Sequence, residues 1–304
     1  MTRLTLTRVA GTVAALAIAA AAVAVVSARQ VSRPPSLAIT HAARELVPGE
    51  AVLLTIKASA GALTSVRGTA FGQPFSAYPG ESAGTWQALV GIDLAARPGK
   101  FIVEVEARLA DGSPLAASLP LTVAAKTFAT RRLTVAPEFV TPPPAEQARI
   151  DRERLLLNRI LSAISPRHLW NDGFGRPVDG EVISIFGVRS VFNNEARAPH
   201  RGIDFRGATG TPVRAPARGV VVLAEPLYFS GSTVVLDHGL GVFSMLAHLS
   251  RIEVTPGTVV VGGDLVGAIG ATGRVTGPHL HWTLRIGPAA VDPLSVVEIL
   301  GARR

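Results

Sequence analysis

"TGPHLHW", Thr276 to Trp282, sets two histidines one residue apart, behind a Gly-Pro turn and ahead of a tryptophan. In an extended strand, residues i and i+2 point to the same face, so His279 and His281 aim both imidazoles at one point. The chain has seven histidines. A pair placed this way either shares a task or lies by coincidence on a solvated strand, and the segments around it decide which.

Those segments are β-rich and glycine-rich from about Val178 to Pro293. Strand candidates are "EVISIF", "GVVVLAE", "STVVLDH", "GVFSMLAHL", "GTVVV" and "HLHWTLRI". Glycine turns between short β-branched runs predict an antiparallel sheet, as a barrel or a sandwich.

The same region concentrates the chemistry. "PHRGIDF" holds His200 and Asp204, which share a face with Gly202 in an extended conformation. Gly202 would leave room for a metal between them. With His281 they make two imidazoles and one carboxylate, the N/O donor set of a catalytic zinc that keeps one open position. The same set suits a facial-triad iron, but no oxygenase context accompanies it. His248 in "SMLAHLS" and His279 are not needed to complete the metal set, so both are candidates for proton transfer or oxyanion stabilisation. No His-Glu-x-x-His is present to supply a glutamate base. His238 in "LDHGLG" precedes a glycine turn and reads as structural.

The first thirty residues read as targeting. Arg3 and Arg8 precede the uncharged apolar run "VAGTVAALAIAAAAVAVV", and Val26-Ser27-Ala28 resembles a cleavage site. Residues 1–28 are thus a signal peptide or, with residues 9–26 left in place, a membrane anchor. Either way the remainder is exported, to the periplasm or cell envelope. The formal charge of +8 is compatible with anionic envelope polymers or lipid surfaces. Nucleic acid is disfavoured, because no basic block alternates with exposed aromatics. With no cysteine, disulfides, thiolate metal sites and cysteine nucleophiles are excluded.

Residues 36–126 predict a small immunoglobulin-like β-sandwich. "FIVEVEARL" alternates Phe101, Val103, Val105, Ala107 and Leu109 with charged residues, and "TWQALVGIDL" repeats the pattern with Trp86, Ala88, Val90 and Ile92. Pro48-Gly49, Pro79-Gly80, Pro98-Gly99 and Asp111-Gly112 mark turns. Residues 141–166 comprise the stiff "TPPPAEQ" and an amphipathic helix with Ile150, Leu157, Ile160, Leu161 and Ile164 at helical spacing, ended by Pro166. The helix is expected to pack on one of the β-units. His168 and Trp170 follow it as ordinary packing residues. The overall class is mainly β: a sandwich, a helical linker and a C-terminal sheet over residues 175–300.

In the order "FGVR", "HRGIDF", "GTPVRAPARGVV", "VVLDHGLGV", "LAHLS" and "GAIGATGRVTGPHLHW", residues 180–295 resemble the lysostaphin/LytM-type zinc metallopeptidases. That resemblance implies a two-sheet antiparallel core, a groove for an extended peptide and hydrolysis of peptidoglycan cross-links. It implies His200, Asp204 and His281 as ligands of one zinc per chain, and His248 with His279 as the catalytic pair. Such enzymes divide between glycine-bridge cutters and those that cleave D-Ala–diaminopimelate bonds; an exported form with an accessory domain leans to the latter. Relatives often have Tyr where this chain has Leu246, and Asn where it has Ser232, which points to an altered groove lining. Asn193 and Asn194 are candidate substrate contacts, and Arg189 reads equally as a contact or a structural residue. The competing reading is a non-catalytic envelope protein that activates another wall hydrolase, although degenerate relatives lose zinc ligands and this chain keeps them. A lipoyl- or biotin-type carrier is excluded, since no lysine follows Lys126.

Overall fold

A computed structural model describes residues 34–134, 142–193, 195–196 and 198–301. The expected targeting segment, residues 1–28, lies outside the described residues, as do Asn194 and Thr141, the first residue of the expected linker. Among the described residues no helix is long and apolar enough to cross a membrane.

The N-terminal strands are β1 (Leu37–Ala42), β2 (Ala51–Ala58), β3 (Leu63–Ala70), β4 (Gln73–Ser76), β5 (Tyr78–Pro79), β6 (Thr85–Gly91), β7 (Gly99–Leu109) and β8 (Pro114–Val123). They form two sheets, ordered β1-β2-β6-β5 and β4-β3-β7-β8. One core lies between them, with Leu54, Ile56, Val90 and Ile92 from the first meeting Val66, Val103, Val105 and Leu109 from the second. On β7 the alternation is as expected: Val103, Val105, Ala107 and Leu109 are buried while Glu104, Glu106 and Arg108 are exposed. The first sheet departs from alternation. Its other face also buries Ala51 and Leu89, because the C-terminal region packs against it.

Beyond β8, β9 (Thr130–Leu133) leads to the helix α1 (Pro144–Ser162). Pro144 starts α1 where its missing N–H costs nothing. Glu153 fixes the helix from both sides, accepting from Arg149 Nε at 2.7 Å and from the Tyr228 backbone N–H at 2.7 Å. Leu156, Leu157, Ile160 and Leu161 pack on Leu223, Leu227, Val235 and Phe243 of the C-terminal sheet. Ile164 stays exposed.

The C-terminal strands are β10 (Val182–Ser184), β11 (Arg189–Phe192), β12 (Glu195–Ala196), β13 (Ile203–Arg206), β14 (Pro212–Arg214), β15 (Gly219–Leu227) and β16 (Gly231–Gly239). They continue as β17 (Val242–Ile252), β18 (Val259–Val260), β19 (Leu265–Ile269), β20 (His279–Ile286) and β21 (Ala289–Val291), before the helix α2 (Pro293–Leu300). The main sheet runs β10-β13-β20-β17-β16-β15-β18, with every pairing antiparallel. On β20, Leu280, Trp282, Leu284 and Ile286 enter the core, which leaves His279, His281, Thr283 and Arg285 on the opposite, half-buried face.

Two features were not among the expectations drawn from the sequence. Strand β9 pairs in parallel with β11, placing Thr130 beside Arg189, and the Phe128 ring sits 2.1 Å from where a Cβ on Gly187 would stand. The glycine of "FGVR" therefore makes room for the segment leaving the sandwich, and Arg189 belongs to that junction through its backbone N–H, which donates to Ala129 O at 2.8 Å. The second is α2, whose Asp292 carboxylate accepts from the Leu294 N–H at 3.0 Å as N-cap.

The junction itself is aromatic. Tyr78 stacks on His168 at 3.7 Å, and Trp170 meets His168 edge-on at 4.4 Å and Phe174 at 6.2 Å. Phe174 in turn contacts fully buried His238. His238 Nδ1–H donates to Arg218 O at 2.8 Å, which leaves Nε2 to accept from the Ser244 hydroxyl at 2.9 Å. Trp282 Nε1–H donates to that hydroxyl oxygen at 3.2 Å. The chain of bonds pins Trp282, the immediate neighbour of His281.

Burial pushes the His238 pKa down to about 4. The unfolded chain therefore takes up a proton near pH 6.5, while the folded state resists until about pH 4. Stability present above pH 6.5 falls as the pH drops through that window, by roughly 3 kcal/mol in total. Denaturant unfolding of chelator-treated protein in a pH series checks this: the slope between pH 6.5 and 4 is expected to be shallower in His238→Gln than in wild type.

Candidate metal centre and its surroundings

Strand register brings the predicted residues together. Asp204 on β13 lies directly across from His281 on β20, and Ala247 on β17 flanks His281 from the other side, one residue before His248. His200 precedes β13 in a turn held by its own backbone, whose N–H donates to Val188 O at 2.9 Å.

Three atoms meet at the centre. His200 Nε2 lies 3.1 Å from Asp204 Oδ1 and 3.0 Å from His281 Nδ1, and His281 Nδ1 lies 2.8 Å from Asp204 Oδ1. The outward nitrogens are already engaged. His200 Nδ1 faces the backbone carbonyl of Ile185 at 3.0 Å and the Ser184 hydroxyl at 3.2 Å. Because a carbonyl can only accept, Nδ1 carries the proton and Nε2 keeps its lone pair. His281 Nε2 faces Thr283 Oγ1 at 2.8 Å, a hydroxyl that can accept from Nε2–H and so leave the inward Nδ1 open to a cation. Burial lowers the His281 pKa, and the nearby imidazoles lower it further against the raising effect of Asp204. Burial would raise the Asp204 carboxyl, but the bonds and charges of His200 and His281 hold it well below the ordinary carboxylate range.

In the tautomers with both outward nitrogens protonated, two imidazole lone pairs and a carboxylate converge on one point. Without a cation a shared proton can bridge an inward nitrogen to Asp204 Oδ1, and a bound cation takes that proton's place. The donor set and the outward hydrogen bonds match those of a catalytic metal site. Among the described residues, this is the group of three acidic or imidazole side chains able to hold a metal ion.

Gly202 has a different role from the one expected of it. A Cβ there would stand 2.4 Å from Trp282 O and 2.8 Å from His281 Cε1. The glycine makes room for the neighbouring strand and the His281 ring, rather than for an ion.

His248 and His279 complete the rim. Their ring centroids are 4.9 Å apart, and His248 lies 5.9 Å from His281. His279 Nε2 comes within 3.9 Å of Asp204 Oδ1. Each ring donates its Nδ1–H to a carbonyl, His248 to Thr272 O at 2.9 Å and His279 to Gly277 O at 2.8 Å. Both Nε2 atoms are thereby left as acceptors. Burial above all, helped by the charges of His281 and His279, pushes the His248 pKa down to about 3, so this imidazole is neutral. The backbone at His248 is left-handed, φ 65°, which is uncommon for a residue with a Cβ. Its N–H donates to Ser230 O at 2.8 Å, and the two bonds hold the conformation.

Leu246 does not line the groove. It is fully buried in the core. Ser232 is half-buried, and its N–H donates to Thr272 Oγ1, behind the carbonyl that orients His248. Sequence reasoning missed Thr283, although alternation on β20 puts it on the face of His281. It also missed a cavity of about 430 Å³ beside His281, with Leu157 and Leu161 of α1 on one wall and Phe229, Phe243 and Met245 on another.

The model for peptidase family M23 matches residues 198–293. The crystal structure of a Pseudomonas aeruginosa protein assigned to peptidase M23 shares 33% identity and superposes with a TM-score of 0.65, covering 83% of this chain and 95% of the other. The chain therefore belongs to peptidase family M23. Two curated relatives match its C-terminal part. They are the DD-carboxypeptidase/endopeptidase Mpg of Neisseria meningitidis, 44% identical over 97 residues, and the peptidoglycan DD-endopeptidase ShyA of Vibrio cholerae, 46% identical over 121. The matches take in 32% and 39% of this chain, and span 22% and 28% of the relatives' own lengths.

Proposed function

We propose that this chain is an exported zinc endopeptidase that hydrolyses peptide cross-links of bacterial peptidoglycan, at D-Ala–diaminopimelate bonds. The observation that carries the reading is the convergence of His200 Nε2, Asp204 Oδ1 and His281 Nδ1 within 3.1 Å, each outward imidazole N–H already bonded. The names of the Mpg and ShyA relatives support the substrate. On this reading the protein works in the periplasm or cell envelope, with residues 1–28 as its export signal or anchor.

His200, Asp204 and His281 would hold one zinc, which when bound supplies Lewis-acid polarisation of the scissile carbonyl and a water acidified toward a pKa of ~7. The protein's own groups handle the protons. His248 Nε2 and His279 Nε2 both face the rim with their Nδ1–H groups engaged, so either neutral ring can take the proton of the attacking water, and the imidazolium formed can give it to the leaving amine. The carbonyls of Thr272 and Gly277 keep both rings in the tautomer this requires. Core residues Trp282 and Leu280 fix β20 behind the site.

Residues 36–126 are assigned as an immunoglobulin-like sandwich. The orders β1-β2-β6-β5 and β4-β3-β7-β8 support this, since they correspond to the ABED and C′CFG sheets of that topology. Residues 141–166 are the linker and helix, and residues 175–300 the peptidase domain.

Digestion of purified peptidoglycan by the zinc-loaded protein, with mass spectrometry of the released muropeptides, tests the function. New D-Ala carboxyl and diaminopimelate amine ends are expected, and intact cross-links after exhaustive digestion would refute it. Thr283→Val removes the acceptor for His281 Nε2–H and should weaken zinc binding by roughly 10- to 100-fold. Competition against a chromophoric chelator measures this, and unchanged affinity would show that Thr283 does not orient the ring.

A further inference from the structure

The cavity beside His281 is apolar along most of its wall, yet Arg201 and Arg285 both line it. Arg285 follows His281 and Thr283 on the same face of β20, and Arg201 follows His200 directly. Neither guanidinium has a carboxylate within ion-pair distance among the described residues, whereas Arg154 on the facing helix is paired with Asp151 and Glu153 is held by Arg149 and the Tyr228 N–H. Arg285 donates from Nη2 to Pro288 O at 2.7 Å, which fixes the plane of its guanidinium. Its Nε is enclosed and has no acceptor. The two like charges are close enough that Arg201 depresses the Arg285 pKa, adding to the effect of burial, while Asp93 behind the strand offsets part of it. A folded chain has no internal use for two neighbouring cations in a greasy groove. An incoming anion relieves their repulsion, and the low-polarity walls strengthen the attraction.

We propose that Arg201 and Arg285 form a subsite that binds a carboxylate of the substrate peptide next to the scissile bond. The inference rests on the endopeptidase reading and narrows it. In a D-Ala–diaminopimelate cross-link the carbon bearing the leaving nitrogen also carries a free carboxylate, whereas a glycine bridge has none beside its scissile bonds. The pair thus selects diaminopimelate-type cross-links over glycine bridges. Arg201 and Arg285 act as specificity determinants and take no part in proton transfer.

The experiment compares cross-linked muropeptide dimers that differ only in amidation, one at the diaminopimelate carboxylate beside the scissile bond and one at the terminal D-Ala carboxylate. With the wild-type zinc-loaded protein, amidating the first is expected to raise KM by roughly 10- to 100-fold with a small change in kcat, the size of one or two charge-assisted hydrogen bonds. If the terminal amide has that effect instead, the carboxylate beside the scissile bond is not the ligand and the proposal is overturned. In Arg201→Gln, whose exposed side chain can change without disturbing the core, the preference should shrink below about threefold. Arg285→Lys, which keeps the charge, should retain part of it. Equal KM for all three dimers, or a preference that survives in the R201Q/R285Q double variant, would overturn the proposal. Calorimetric binding of the same dimers to chelator-treated protein separates this from the activity: if no dimer is cleaved, the endopeptidase reading fails, and a tenfold tighter binding of the free acid still supports the subsite while equal binding overturns it.

Discussion

Replacing His281 with alanine is expected to lower muropeptide release by at least about a thousandfold, with a modest cost of about 1–3 kcal/mol to the metal-free fold. The two effects share one cause. His281 Nδ1 faces His200 Nε2 at 3.0 Å and Asp204 Oδ1 at 2.8 Å. Without a cation a proton on Nδ1 bonds the Asp204 carboxylate, so removing the imidazole takes that bond from the metal-free protein. With a cation it is one of three attachments, and its loss removes the Lewis acid that accounts for several kcal/mol of barrier lowering. Chromatography of digests gives the first quantity, and denaturant unfolding in chelator gives the second. A His281→Ala protein that digests peptidoglycan at the wild-type rate contradicts this reading, and one whose metal-free stability is unchanged contradicts the bond between His281 and Asp204.

The second large effect is structural. Glu50 is fully buried, yet it accepts from Arg44 Nε at 3.0 Å and Nη2 at 2.7 Å, and from Lys126 Nζ at 3.0 Å. Arg44 also reaches Asp292 at 2.6 Å, the residue that caps α2. The cluster joins the sandwich to the end of the peptidase region, where the Asp292 N–H donates to Gly49 O at 2.7 Å and the Ala51 N–H to Ser295 Oγ at 3.1 Å. Glu50→Ala leaves two cations facing each other with the carboxylate gone. Breaking a buried pair this way typically costs 3–5 kcal/mol. Arg44 and Lys126 keep 26% and 31% of their side-chain surface in water, so the lower end applies, roughly 3 kcal/mol. For a chain of this size that lowers Tm by roughly 6–10 °C. A loss below about 1 kcal/mol would show that the cluster is solvated in solution and does not hold the two regions together.

Much of this was legible in the sequence because strand periodicity carries side-chain direction. His-x-His on a strand, and His-x-x-x-Asp entering another, state which faces the ligands occupy, and β20 and β13 place them there. The alternation in "FIVEVEARL" named the buried face of β7 correctly. What periodicity cannot state is which strands meet. The parallel pairing of β9 with β11 joins residues about sixty apart, with no local signal in either. The first sheet buries residues on both faces because of a partner far along the chain, so Leu89 broke the alternation that "TWQALVGIDL" suggested. Helix α2 is a different kind of miss. Asp292-Pro293 is a cap followed by a proline at the first helical position, a signal present in the sequence and not taken up. Gly202 was given the right importance for the wrong reason, since its contact is with a neighbouring strand that the linear sequence does not show.

Metal analysis of the purified protein tests the central claim most directly. Zinc is quantified by plasma mass spectrometry after dialysis against limiting chelator, in wild type and in Asp204→Ala. About one zinc per wild-type chain and near none in the variant is the expected result. Equal metal content in the two proteins, or none in wild type after exposure to zinc, would mean that His200, Asp204 and His281 do not jointly hold a cation.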